Sequence, residues 1–125
     1  MSNWTKDELD KIGNAEELKV ASVKSDGTRS SLVIIWVVRI GDELYIRSVN
    51  GRGAGWFSGT QTKHEGHIRA GGVNKDVTFV DVSDAAGIDA VDEAYRDKYM
   101  KRYKGPTESM LTSHAREATL RIVPR

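Results

Sequence analysis

The fold of this chain is decided by residues 31–52, which read SLVIIWVVRIGDELYIRSVNGR. The first part, Leu32 to Val38, is apolar at consecutive positions, a pattern typical of a strand buried on both faces. Gly41 and Asp42 form a two-residue turn signal, and the alternating residues that follow predict a second strand. We therefore expect a central, buried strand joined by a tight turn to its neighbour.

Signals on either side of this hairpin predict the remaining elements. Thr5 and Glu8 have the spacing of a capping box, which predicts a short helix that ends near Gly13. Gly105–Pro106 is expected to end a long amphipathic helix that begins after Ser83 or Asp84. The other predicted elements are strands over 18–23, 67–70, 73–82 and 118–123, at most a short helix over 54–60 in a glycine-rich segment, and a last helical segment capped by Thr107. Six strands with tight turns favour a small barrel.

Composition limits the classes of function. The 125 residues suit one domain, which we place over residues 1–125. Cysteine is absent, which excludes disulfide scaffolds, thiolate zinc sites, iron–sulfur clusters and cysteine nucleophiles, and suits a cytoplasmic protein. The net charge of +1 gives no general attraction to nucleic acid or an anionic membrane, and no apolar run approaches the length of a membrane helix. We expect neither partner.

Anion-binding groups follow the second strand of the hairpin. Arg47, Ser48, Asn50 and Arg52 cluster there, together with the backbone amides of glycines 51 and 53. Guanidinium groups and a glycine-rich turn can hold a phosphate, so this cluster is a candidate phosphate site. If it is one, replacing either arginine with alanine should weaken ligand binding and leave the barrel folded. The alternative is that both arginines are ordinary solvated side chains at the edge of a sheet.

Tryptophans supply candidate contacts for a flat ring. Trp36 lies in the middle of the apolar strand, where core packing is the simpler explanation. The alternative is that Trp36, or the backbone of Trp36, Val37 and Val38, lines a ring whose polar edge bonds to strand amides. Trp56, in the glycine-rich segment, is a candidate cover for such a site.

Three other patterns are weaker. His64, His67 and His114 lack the spacing of a metal motif, so we expect no metal site. No G-x-S-x-G elbow frames any serine, which argues against a serine hydrolase. The basic and aromatic segment 95–104 could contact nucleic acid, but we favour a helix with its tyrosines inward and its lysines in water.

Taken together, these segments resemble the flavin-binding split-barrel superfamily. The residues that carry the resemblance are 20–22, 25–29, 35–38, 42–48 and Arg52. The superfamily includes pyridoxamine-phosphate-oxidase-like proteins and deazaflavin-dependent nitroreductases. Within it the chain looks like a small bacterial family of unknown function, on residues 35–51, 68–80 and 118–125.

The resemblance implies a six-stranded antiparallel split barrel with a short N-terminal helix and one long helix before the last strand. It also implies a homodimer with a cofactor site at each end of the interface. The cofactor would be flavin mononucleotide (FMN) or a deazaflavin, or there would be none. Arg47 and Ser48 match the pair that binds the phosphate, and Arg52 stands where the superfamily often has a lysine. The function is then either an oxidoreductase transferring hydride to a small oxidised substrate or a non-catalytic module that binds a small ligand.

Overall fold

A computed structural model describes residues 4–125, so the first three residues of the predicted domain lie outside the described part. The strands are β1 (Glu17–Ser22), β2 (Val33–Ile40), β3 (Glu43–Arg47), β4 (Glu65–Ala70), β5 (Val73–Asp81) and β6 (Thr119–Pro124). The helices are α1 (Lys6–Gly13), α2 (Gly55–Lys63), α3 (Ala85–Tyr99), α4 (Lys104–Ser109) and α5 (Ser113–Arg116), with a 3-10 turn over Gly51–Gly53.

The six strands form a closed antiparallel barrel in the order β1-β2-β3-β6-β5-β4. Tight turns join β2 to β3 and β4 to β5, so these neighbours in sequence are also neighbours in the barrel. The last strand, β6, lies between β3 and β5 and closes the sheet. The predicted six-stranded barrel is therefore confirmed.

The barrel is split at the first half of β2. The pairing between β2 and β3 begins at Val37 opposite Ile46 and continues to the turn. The preceding segment, Val33–Trp36, pairs with β1 on one edge only. Because antiparallel strands point alternate N–H and C=O groups to each side, this segment directs backbone polar groups away from β1.

The core has two parts. Side chains from all six strands fill the barrel, and Trp4, Leu9 and Ile12 close one end. The capping box at Thr5 is present, which fixes the start of α1. A second cluster lies between β2 and α3 and consists of Val38, Val91, Tyr95, Tyr99 and Met110. The long helix is thus fastened across the outside of β2, beside the split.

The expectation that β2 is buried along its length was wrong for its first half. Leu32, Val33 and Ile34 are 41%, 37% and 56% exposed. The reason is that β3 does not pair with this segment and α3 covers only the second half of the strand.

The helical boundaries in the last third also differ from the prediction. The long helix ends at Tyr99, whereas Gly105 and Pro106 lie in the first turn of α4. Proline is tolerated there because first-turn amides have no partner within a helix. Thr107 is inside α4 and does not cap it, and Thr112 caps a further short helix, α5.

The glycine-rich segment forms a longer helix than expected, nine residues instead of at most seven. A side chain at Gly59 would come within 2.2 Å of the Ser22 hydroxyl oxygen. The glycine therefore lets α2 approach β1 closely, which offsets the low helix propensity of the segment.

The tyrosines of α3 point inward as predicted, but Lys98 is an exception to the expectation of lysines in water. Its ammonium donates hydrogen bonds to the carbonyls of Ala15 at 2.6 Å and Val37 at 2.7 Å. Burial lowers the pKa of Lys98 to about 8. Lys98 thus helps to fasten α3 to the barrel.

Among the described residues, no helix has the length and hydropathy needed to cross a bilayer.

Candidate functional site

A cavity of about 360 Å³ opens at the split of the barrel. Its apolar wall is the segment Val33–Trp36, whose edge toward β3 is unpaired, and its polar end is the exit of β3 at Arg47–Asn50. Trp56 of α2 and three residues of α4, Pro106, Ser109 and Met110, complete the lining. The size and the mixture of an apolar wall with a few polar groups are typical of small-molecule sites.

The wall formed by Val33–Trp36 offers backbone groups as well as side chains. Because its edge toward β3 is not paired, alternate N–H and C=O groups face the split. Such groups can bond to the polar edge of a flat ring without any change in the strand. This geometry fits the predicted ring site, although it places the site before Val37.

Ser48 supplies an unsatisfied hydroxyl at the polar end. The residue is 1% exposed, and its backbone N–H donates to the carbonyl of Ala118 at 3.0 Å. Its Oγ has no hydrogen-bond partner among residues 4–125. A buried hydroxyl without a partner costs about 1–3 kcal/mol, so a ligand atom that bonds to it would recover that free energy. Ser48 is therefore well placed to bind a ligand.

Arg47 is buried and already engaged. Its guanidinium donates to the Asp92 carboxylate at 2.6 Å and to the Thr119 hydroxyl at 2.9 Å. It also donates to the carbonyls of Met110 at 2.9 Å and Ile88 at 3.2 Å. Four contacts join β3 to α3, β6 and the end of α4. Arg47 borders the cavity, but most of its donors are not free for a phosphate.

The charge of Arg47 is balanced locally. Asp92 contacts Arg47 through one carboxylate oxygen and lies 3.0 Å from the Nε of Arg116 through the other. The Nε–H of Arg116 does not point along that line, so this second contact is an ion pair without a hydrogen bond. Arg116 also pairs with Asp89 at 2.5 Å. The network is two arginines against two aspartates, so it adds little net positive charge to the cavity.

Arg52 does not line the cavity. Its guanidinium donates to the carbonyl of Glu117 at 3.0 Å and to the side chain of Gln61 at 3.3 Å. It also lies 5.2 Å from the centre of the Phe57 ring. The structure therefore brings Arg47 and Ser48 together at the polar end and places Arg52 elsewhere.

Trp36 lines the cavity and belongs to an aromatic stack. Its ring lies 4.0 Å from that of Tyr99 at an angle of 4°, and 5.5 Å from that of Tyr103. Burial raises the pKa of the Tyr99 hydroxyl, whose single proton lies between the carbonyl oxygens of Glu16 at 2.6 Å and Val37 at 3.0 Å. The stack holds the Trp36 ring in one orientation at the cavity wall.

Val37 and Val38, predicted to contact the same ring, do not line the cavity. The Val37 side chain lies inside the barrel. The backbone carbonyl of Val37 accepts hydrogen bonds from the Tyr99 hydroxyl at 3.0 Å and the Lys98 ammonium at 2.7 Å. Val38 packs beneath α3. Trp56, the predicted cover of the site, lines the cavity, and its ring stands edge-on to that of Phe57 at 5.9 Å.

The histidines serve the fold. His64 ends α2 in the left-handed conformation, with φ of 57°. His67 bonds to Asp76 at 2.8 Å and to Asn74. His114 packs against Gly51, where φ is +75° and an added Cβ would lie 2.5 Å from the ring. Within residues 4–125, no group of three or more histidine, aspartate or glutamate side chains is arranged to hold a metal ion.

The sequence of this chain matches the model of one protein family. Residues 8–122 match the model of DUF2255, described as an uncharacterized protein conserved in bacteria. The chain belongs to this family. No curated protein matches this DUF2255 chain in sequence.

Solved structures resemble the DUF2255 chain in fold. A conserved hypothetical protein from Mycobacterium tuberculosis superposes with a TM-score of 0.69 at 14% identity, covering 98% of this chain and 81% of that one. The heme storage protein HutZ from Vibrio cholerae gives 0.63 at 10% identity, with coverage of 96% and 89%. A FAD-binding protein from Mesorhizobium loti gives 0.60 at 16% identity, with coverage of 98% and 91%. These identities show the fold alone, the six-stranded barrel with its accompanying helices.

Two parts of the DUF2255 site were not predicted from sequence. The α4 wall was missed because the helix boundary was misplaced. Asp92 was missed as the partner of Arg47, although a signal was present. Ile88, Asp92, Tyr95 and Tyr99 are spaced by four, three and four residues, so a carboxylate lies on the buried face of the helix. A buried carboxylate requires a cationic partner.

Proposed function

We propose that this chain binds a phosphorylated flavin or deazaflavin in the cavity at the split of its barrel. The single observation that carries the proposal is Ser48, a residue that lines the cavity and whose buried hydroxyl has no partner among residues 4–125. The unpaired edge of Val33–Trp36 supports the same proposal, because it suits a flat ring with a polar margin. We assign the ring to Val33–Trp36 and the phosphate to Ser48.

The residues of the cavity would bind and orient this cofactor. The Trp36 and Trp56 rings would limit the access of water, and Arg47 would position Ser48 by holding the end of β3. A flavin or deazaflavin, when bound, accepts and donates hydride. Apart from Arg47, no titratable side chain of residues 4–125 lines the cavity, which is compatible with hydride transfer to a small oxidised substrate.

The second candidate is a non-catalytic module that stores or senses the same ligand. It is favoured by the local charge balance around Arg47, because a neutral network gives no free acid or base for chemistry. The two candidates share the cavity and differ in turnover. Bound cofactor that is reduced and then reoxidised by small acceptors faster than free cofactor would identify the oxidoreductase.

The first test is titration of the purified protein with FMN and with a phosphorylated deazaflavin. We expect one of them to bind with a stoichiometry of one per subunit and to quench tryptophan fluorescence, because Trp36 and Trp56 line the cavity. Native mass spectrometry of freshly purified protein gives the retained ligand and the subunit count together. Failure of both cofactors to bind, with the circular dichroism of the barrel unchanged, would contradict the proposal.

We also propose that the chain forms a homodimer through the rim of this cavity. The large hydrophobic side chains exposed in the described part are Leu32, Val33, Ile34 and Val49, and three of them line the cavity. A contiguous exposed apolar patch marks an interaction surface more often than scattered apolar residues do. A second copy seated on this rim would bury the patch and enclose the cavity.

Ile34→Glu is expected to convert the dimer to a monomer. The substitution removes an apolar side chain that is 56% exposed in the single chain and adds a charge, twice per dimer. The loss should be about 3 kcal/mol of dimer stability or more, measured by sedimentation velocity over a range of concentrations. Lys101→Glu, a charge change at an exposed position of the chain, is the control and should leave the dimer intact. A wild-type protein that sediments as a monomer at all concentrations would contradict the assignment.

The cytoplasmic location and the single domain over residues 1–125 remain predictions from the sequence. Detection of the intact protein in the cytoplasmic fraction, and one cooperative unfolding transition, would test them.

A further inference from the structure

Two like charges face each other on the outside of the barrel. Lys19 of β1 and Arg69 of β4 are direct cross-strand partners, and both are exposed. Like charges in this position destabilise a sheet. The guanidinium of Arg69 has no ion pair or hydrogen bond with any residue from 4 to 125. Each of the other nine arginines has at least one side-chain partner: Arg29, Arg39, Arg47, Arg52, Arg96, Arg102, Arg116, Arg121 and Arg125.

The pair borders a groove of its own. A hollow of about 510 Å³ is lined by Glu17, Lys19, residues 69–73 and Asn74. Two cations against the single carboxylate of Glu17 leave the groove with a net positive charge. An ammonium and a guanidinium together can hold a carboxylate or a phosphate through charge-assisted hydrogen bonds. The free N–H donors of Lys19 and Arg69 favour a bound oxyanion, and so does the repulsion between their two positive charges.

The groove adjoins the cofactor cavity across one strand. Ile34 and Trp36 line the cavity, and their cross-strand partners, Lys19 and Glu17, line the groove. Neighbouring strands are about 4.8 Å apart, so the two sites lie within the span of one small molecule. Ser48 lies on the β3 side of the cavity, whereas the groove lies on the β1 side. A ligand in the groove is therefore not the phosphate assigned to Ser48.

We propose that Lys19 and Arg69 form a second anion site, which binds the carboxylate or phosphate group of the oxidised substrate. The assignment of the bound molecule as the substrate rests on the proposed function, whereas the anion site itself does not. The proposal narrows the substrate class to small anionic acceptors. Under this proposal, the cofactor phosphate binds on the β3 side of the segment Val33–Trp36, and the anionic group of the substrate binds on its β1 side.

The test is titration of cofactor-free protein with inorganic phosphate and, separately, with acetate, followed by 1H–15N correlation spectra at constant ionic strength. We expect saturable shifts of the amides of residues 17–19 and 69–74. Arg69→Gln should weaken the binding about fivefold or more, because it removes one of two charged donors. Glu17→Gln should tighten it, because it removes the opposing carboxylate. The probe that binds more tightly identifies phosphate or carboxylate as the group recognised.

Lys101→Gln is the matched control, since it removes one exposed cation elsewhere and should leave the shifts unchanged. Equal affinity of the wild type and Arg69→Gln for both anions would overturn the anion site. Failure of the proposed function has a different signature, because FMN and the deazaflavin would then not bind even where phosphate still shifts residues 69–74. If cofactor binds and Arg69→Gln lowers its affinity as much as Ser48→Ala does, the groove belongs to the cofactor and the substrate assignment is overturned.

Discussion

Arg47→Ala is expected to destabilise the protein by about 3–5 kcal/mol, the cost of removing one member of a buried ion pair. Four hydrogen bonds are lost, and the carboxylate of Asp92 keeps only its contact with Arg116. The contacts of Arg47 join β3 to α3, β6 and the end of α4, so their loss should loosen the side of the barrel that carries the cavity. Urea unfolding followed by circular dichroism measures the change.

Arg52→Ala is the matched control, because it removes an exposed arginine five residues along the chain. We expect it to cost under about 1 kcal/mol. The double variant Arg47→Met with Asp92→Leu should recover part of the lost stability, since it removes both buried charges at once. Equal stability of Arg47→Ala and Arg52→Ala would show that the buried network does not hold the fold together.

A difference between Arg47→Ala and Arg52→Ala would separate a stabilising role from a ligand-binding role among the residues that follow β3. The sequence alone predicts only ligand binding for both arginines. The pattern of arginine, serine and glycine after β3 predicts that both arginines can be removed without unfolding the barrel. For Arg47 the structure leads us to expect the opposite, because the side chain is buried and bonded on several sides. Of the buried residues in the cluster, Ser48 is the one whose side-chain polar group has no partner among residues 4–125.

Local signals predicted most of the architecture. The capping box at Thr5, the turn at Gly41–Asp42 and the alternation along the strands each depend on neighbouring residues. Each of these features stabilises one conformation of a short segment, whatever the rest of the chain does. The order of six strands then left few ways to close a barrel.

The site was harder to predict because its contacts are distant in sequence. The partners of Arg47 lie 41 to 72 residues away, so nothing near it in sequence indicates that it is buried. The exposure of Ile34 likewise depends on where β3 stops pairing with β2, which composition does not reveal. A run of apolar residues predicts a buried strand equally well whether the cover comes from the same chain or from another copy.

Ser48→Ala is expected to have opposite effects on binding and on stability. The variant removes a buried hydroxyl that has no partner within residues 4–125, so the cofactor-free protein should be as stable as the wild type or more so. Cofactor binding should weaken by about 1.5–3 kcal/mol, roughly tenfold to a hundredfold, because a hydrogen bond to a charged phosphate is lost. Ser109→Ala removes another cavity hydroxyl, one that already donates to the carbonyl of Gly105 at 3.3 Å, and serves as the control.

Binding of the phosphate at Ser48 is tested by the dissociation constant of Ser48→Ala for FMN and for the deazaflavin, compared with the free energy of unfolding of the variant without cofactor. We expect weaker binding with stability unchanged or increased, and little change in either quantity for Ser109→Ala. Wild-type affinity in Ser48→Ala would contradict this expectation, because the phosphate would then not lie at Ser48.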